Sequence, residues 1–92
     1  MKLALWQGPS PAGDVDAAYA ALSAALIASA AIGAKMLVAP EVYLPGYNHD
    51  HIPAFAQPRG GAWHKTLAQM TRTARCGLTV GYAERDGDAV YN

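Results

Sequence analysis

Hydrophobic positions along this chain fall into short unbroken runs that alternate with helically spaced segments. Leu3, Ala4, Leu5 and Trp6 form the first run, within a strand predicted over residues 2–7 that ends at the breaker cluster Gly8-Pro9-Ser10-Pro11-Ala12-Gly13. Val15, Tyr19, Leu22, Leu26 and Ile32 then recur at near-helical spacing with alanine between them. This predicts a helix with Asp14 or Asp16 as its N-cap and Gly33 as its stop. Met36-Leu37-Val38-Ala39 is short, uncharged and apolar, as suits a strand buried on both faces of a sheet. Strand, helix and strand in that order imply a right-handed crossover to a parallel neighbour.

Residues 48–61 hold two prolines, two glycines and mixed polarity with no sustained period, which predicts a long surface loop. Trp63, Leu67, Met70 and Ala74 then share one helical stripe, while His64, Lys65, Arg72 and Arg75 mostly fall elsewhere. A second helix over 63–75 follows, with Gly77 as its stop. Leu78 to Arg85 reads as a third strand, and Asp86-Gly87-Asp88 as a hairpin turn into a fourth strand over 89–92.

Composition narrows the class. Ninety-two residues make one domain at most, with little surface buried relative to a larger chain. Hydrophobic residues at 52% and charged residues at 15% exclude disorder and leave few solubilising groups, so a partner surface or further chain is expected. Seven basic and seven acidic residues cancel, with no basic run interleaved with aromatics, so nucleic acid is not an expected partner. The single cysteine, Cys76, suits a reducing compartment, and the apolar start is too short for a signal peptide, so a cytoplasmic location is expected. The uncharged stretch 17–34 approaches bilayer length, but its alanines and serines would drive insertion weakly; it reads as a packed helix and not a membrane span.

Candidate chemistry centres on Glu41. Pro40 has no N–H to extend a ladder, so the carboxylate is delivered at the carboxyl end of the 36–39 strand, the edge where ligands collect in α/β sheets. Pro45-Gly46 turns the chain and leaves Tyr43 and Tyr47 flanking it. A lone glutamate after a strand is more often a cap or surface group; apolar walls or a neighbouring proton donor would make it a general base. His49, Asp50, His51 and His64 are residue types that bind zinc, but their spacing places no fourth ligand, and the polar-loop reading is preferred. Cys76 stands at the negative end of a helix, which disfavours a thiolate, and reads as a small buried residue. Gly81 inside a strand can mark a bulge or a close backbone approach, but packing is the preferred reading.

The segment Met36-Leu37-Val38-Ala39-Pro40-Glu41-Val42-Tyr43-Leu44-Pro45-Gly46-Tyr47 resembles the glutamate motif of the nitrilase, or carbon–nitrogen hydrolase, superfamily. An opening strand ending in Gln7, an alanine-rich helix, Gly33-Ala34, an arginine–glycine boundary at Arg75 and Gly77, and Val80-Gly81-Tyr82-Ala83-Glu84-Arg85 before Val90-Tyr91-Asn92 extend the resemblance over essentially the whole chain.

That resemblance implies an α/β fold, an incomplete α-β-β-α sandwich forming the N-terminal part of a single domain over 1–92. It implies hydrolysis of amides or nitriles by a Glu-Lys-Cys triad without metal or organic cofactor, with Glu41 as base and Tyr43 and Tyr47 against the substrate. The complete protein is expected to pair with copies of itself. Neither Lys65 nor Cys76 matches the family's lysine or nucleophile, so the chain alone is expected to be inactive. The alternative is a non-catalytic truncated module that associates through a sheet edge or apolar face. A nucleotide-binding domain has little support, because no Gly-x-Gly-x-x-Gly turn follows the first strand.

Overall fold

The computed structural model describes residues 1–48 and 50–92. Strand β1 (Leu3–Leu5) leads through helix α1 (Val15–Ala31) to β2 (Met36–Val38); a one-turn helix α2 (Ile52–Phe55) and helix α3 (Ala62–Ala74) precede β3 (Gly77–Thr79), β4 (Glu84–Asp86) and β5 (Ala89–Tyr91). The first three strands form a parallel sheet in the order β1-β2-β3, so the strand that leads to Glu41 is central. β4 and β5 form an antiparallel hairpin whose turn, Gly87-Asp88, uses a positive φ of 59° at Gly87.

Register separates the two faces of the parallel sheet. Ala4, Leu37 and Leu78 stand side by side and pack beneath Leu26 of α1 and Met70 and Ala74 of α3. Both helices therefore cover one face. The rows on either side, Leu3 with Met36 and Gly77, and Leu5 with Val38 and Thr79, look the other way. That face is open, with Leu3 53% and Leu5 78% exposed. The mixed α/β architecture expected from the sequence is thus present as one layer of helices on one layer of sheet.

Local chemistry accounts for the elements. Asp14 Oδ1 accepts from the backbone N–H of Ala17 at 3.0 Å and caps α1. At the other end Lys2 Nζ donates to the Ile32 carbonyl at 2.6 Å, a cation on the negative end of the dipole. Ala18, Leu22, Leu26 and Ser29 make the buried stripe of α1, and Ser29 satisfies its hydroxyl on the Ala25 carbonyl at 2.7 Å. Ile32, placed on that stripe by spacing, lies past the helix end and is exposed. On α3 the expected stripe holds: Trp63 and Leu67 are buried and Met70 and Ala74 pack against the core.

Three expectations are corrected. Helix α3 is stopped by Arg75 in the left-handed conformation (φ 56°), with Gly77 already in β3. A Cβ at Gly77 would lie 2.9 Å from Cε of Met36, so this glycine makes room for the methionine. The loop 48–61 is not wholly irregular: α2 lies within it, with a proline in its first turn, and Phe55 reaches the core. The strand expected over 78–85 is broken into β3 and β4, because Val80–Ala83 leaves the parallel sheet to pair with the segment after Glu41.

Among the described residues no helix is long and apolar enough to cross a membrane.

Candidate active site

Parallel pairing continues one residue past β2, where the Ala39 N–H donates to the Thr79 carbonyl at 2.8 Å. Pro40 interrupts it. The chain then swings out and returns at Leu44, whose N–H donates to the Gly81 carbonyl at 3.4 Å and whose carbonyl accepts from the Ala83 N–H at 2.9 Å. Residues 40–43 are therefore a bulge on the carboxyl edge of the central strand, and Glu41 stands exposed on it.

The bulge is pinned by its own side chains. Tyr43 and Leu44 insert into the cluster formed by Ala18, Leu22, Trp63 and Leu67, where Tyr43 is 2% exposed and Leu44 fully buried. The Tyr43 ring meets Trp6 edge-on at 5.1 Å, and burial pushes its hydroxyl above the usual tyrosine range. Val42, between the exposed glutamate and the buried tyrosine, takes φ 42°, a conformation unfavourable for a β-branched residue. The inward pull of Tyr43 and Leu44 holds it there.

Two neighbouring segments close on the bulge. A Cβ on Gly81 would lie 2.5 Å from the Val42 nitrogen and 3.1 Å from the Glu41 Cα. The packing reading preferred from sequence is thereby corrected: this glycine marks a close approach of backbone to backbone. On the other flank Gly13 N–H donates to the Pro45 carbonyl at 2.8 Å, and a Cβ on Gly46 would fall 2.5 Å from Ser10 Oγ. Asn92, following β5, donates from Nδ2 to Glu41 Oε1.

The sequence candidates are thus divided. Glu41 and Tyr47 lie on the exposed side, whereas Tyr43 faces the core as an anchor of the bulge. Lys65 is exposed on α3, and Cys76 is buried beside Leu26 and Leu37, as its small-residue reading expected. His49 lies outside the described residues; among the others no group of His, Cys, Asp and Glu gathers around a common point. An apolar groove of about 470 Å³ between α1 and α3 is lined by Ile27, Lys65, Met70 and Ala74 and includes none of the residues of the bulge. Asn92 was not singled out from sequence, because only the turn of β4 into β5 brings it across 51 positions to Glu41. The Val-Tyr-Asn segment that contributes to the family resemblance was its one trace.

A parallel sheet with a fixed, solvent-facing carboxylate at the end of its central strand defines an α/β scaffold able to present a proton acceptor. The carbon–nitrogen hydrolase family model matches residues 2–92, and the chain belongs to that family. It is 33% identical over 95 residues to a protein of Pseudomonas protegens named "Hydrolase in pqqF 5'region", an alignment that takes in all of this chain and 33% of that protein. The chain spans about a third of that relative's length.

Proposed function

We propose that this chain supplies the general base, Glu41, of a carbon–nitrogen hydrolase acting on small amides or nitriles. The observation that carries the reading is the bulge: in a chain of this family, it holds a carboxylate at the carboxyl edge of the central strand. Glu41 takes the proton of a cysteine thiol as sulfur bonds to the amide carbon. A lysine ammonium steadies the negative charge that grows on oxygen. The C–N bond breaks, the proton passes from Glu41 to the departing nitrogen, and a thioester remains. Glu41 then takes a proton from water as the hydroxyl attacks the thioester, and returns it to the departing sulfur as the C–S bond breaks, releasing acid and thiol. The lysine and cysteine belong to further polypeptide. Neither step calls for a metal or organic cofactor.

Under this proposal Tyr47 forms part of the substrate wall and Tyr43 supports the bulge from behind. The open sheet face of Leu3 and Leu5 receives the second sheet of an α-β-β-α sandwich. The complete protein is a cytoplasmic homo-oligomer. That same exposed face also favours a second reading, a non-catalytic module that docks on a fuller subunit through it.

The deciding experiment expresses the complete open reading frame and assays it on an amide and nitrile panel, with and without a thiol-alkylating reagent. Expected are alkylation-sensitive hydrolysis, a loss of at least about 100-fold for Glu41→Gln, and no turnover from residues 1–92 alone. Wild-type turnover in Glu41→Gln would overturn the base assignment.

A further inference from the structure

We infer that Asn92 is a positioning residue for Glu41, holding one carboxylate oxygen so that the other is presented for proton transfer; its catalytic consequence rests on Glu41 being the base. An exposed glutamate has three rotatable bonds and exchanges among several rotamers unless a partner holds one of them. Here Oε1 accepts the Asn92 amide, leaving Oε2 as the oxygen that can take a proton.

The chemistry of the donor suits this task. A primary amide carries no charge and does not titrate, so it orients a base without competing for its proton. A lysine or arginine at the same place would bind the carboxylate more tightly and make it a weaker base.

The backbone makes the contact specific. Residues 81–92 form one arm that meets the bulge twice. Gly81 first lies against the backbone of Val42 and Glu41, and Ala83 donates to the Leu44 carbonyl. β4 then turns at Gly87-Asp88, and β5 runs back beside it with Tyr91 opposite Glu84. The next residue, Asn92, arrives over the carboxylate. The same arm therefore sets both the position of the Glu41 backbone and the direction of its side chain.

The test uses the complete protein with Asn92→Ala, Asn92→Asp and Glu41→Gln, together with side-chain amide NMR of asparagine-labelled protein carrying Glu41→Ala. In Asn92→Ala, kcat falls about 10- to 100-fold while KM stays within about two-fold and the melting temperature is unchanged. Asn92→Asp is isosteric but sets a second carboxylate against the first, so the acidic limb of the kcat/KM profile moves up by about one pH unit. The Asn92 amide resonances shift when Glu41 is replaced by alanine.

Wild-type kcat and pH profiles in both Asn92 variants, with Glu41→Gln inactive, overturn the positioning role and leave the base assignment standing. Activity retained in Glu41→Gln overturns the base assignment and with it any catalytic role for Asn92. The NMR readout still decides the contact itself: Asn92 resonances indifferent to Glu41→Ala overturn it.

Discussion

Gly81 is the residue on which the geometry of the bulge turns most directly. Its missing side chain lets the 79–83 segment pass against the backbone of Glu41 and Val42, and the atoms that a Cβ would strike are main-chain atoms that cannot rotate away. Gly81→Ala should therefore cost about 1–3 kcal/mol, measured by urea unfolding, and displace Glu41, so that turnover of the complete protein falls with it. Unfolding at the wild-type midpoint would show that the approach is looser than the structure indicates. Tyr82, next in sequence, is shifted above the ordinary tyrosine range by burial and then by the charge and hydrogen bond of Glu84, with Arg59 opposing. A raised folded value means that the folded state keeps this proton longer than the unfolded state. The stabilisation is full below about pH 10 and is lost as pH rises through the folded value. Melting temperature should therefore decline above pH 10, and less steeply in Tyr82→Phe; equal slopes would assign the decline to other groups.

Element boundaries show which local signals suffice and which yield to tertiary structure. An aspartate N-cap for α1, Asp14 or Asp16, was legible because the signal is local; the structure selects Asp14, and its removal in Asp14→Ala should cost about 1 kcal/mol in thermal or urea unfolding. The end of α3 was not legible. Gly77 is the residue type that ends helices, yet a left-handed arginine ends this one, and Gly77 is needed instead in β3, where it makes room for Met36 on the neighbouring strand. Arg75→Gly should accordingly stabilise the protein by about 0.5–1 kcal/mol, since relief of the left-handed strain exceeds the added entropy of the unfolded chain. A lower unfolding midpoint would mean that the arginine side chain makes compensating contacts. The break between β3 and β4 has the same origin as the missed Asn92: residues 78–85 carry a continuous strand pattern, and only the partner segment at Leu44 shows where they leave one sheet for another pairing. Glu41 itself was placed correctly at a strand end because Pro40 acts on its neighbours alone, whereas the inward turn of Tyr43 depends on a pocket made by Trp6, α1 and α3.

At the scale of the whole molecule, one helical layer on one sheet layer leaves the opposite sheet face to solvent. A chain of 92 residues buries a smaller share of its surface than larger domains do, and here a row of large apolar side chains adds to what remains uncovered. The charged residues do not compensate, since the central strand and both flanking rows on that face contain none. Apolar area left in water drives association whenever a second surface is at hand, and β1 and β3 each also present an unpaired edge among the described residues. Residues 1–92 alone should therefore sediment as species larger than a monomer. Leu3→Lys with Leu5→Lys should restore a monomer while leaving the helix-covered core, and with it the far-ultraviolet circular dichroism, unchanged, because both side chains point away from Leu26 and Leu37. In the complete protein the same pair of substitutions should instead lower stability, since the proposed second sheet would have to bury two ammonium groups without partners. A soluble wild-type monomer at high concentration would remove the physical basis for the associating-module reading. Association abolished by the lysines in the short chain, with destabilisation in the long one, would identify this face as an interior surface of the larger fold.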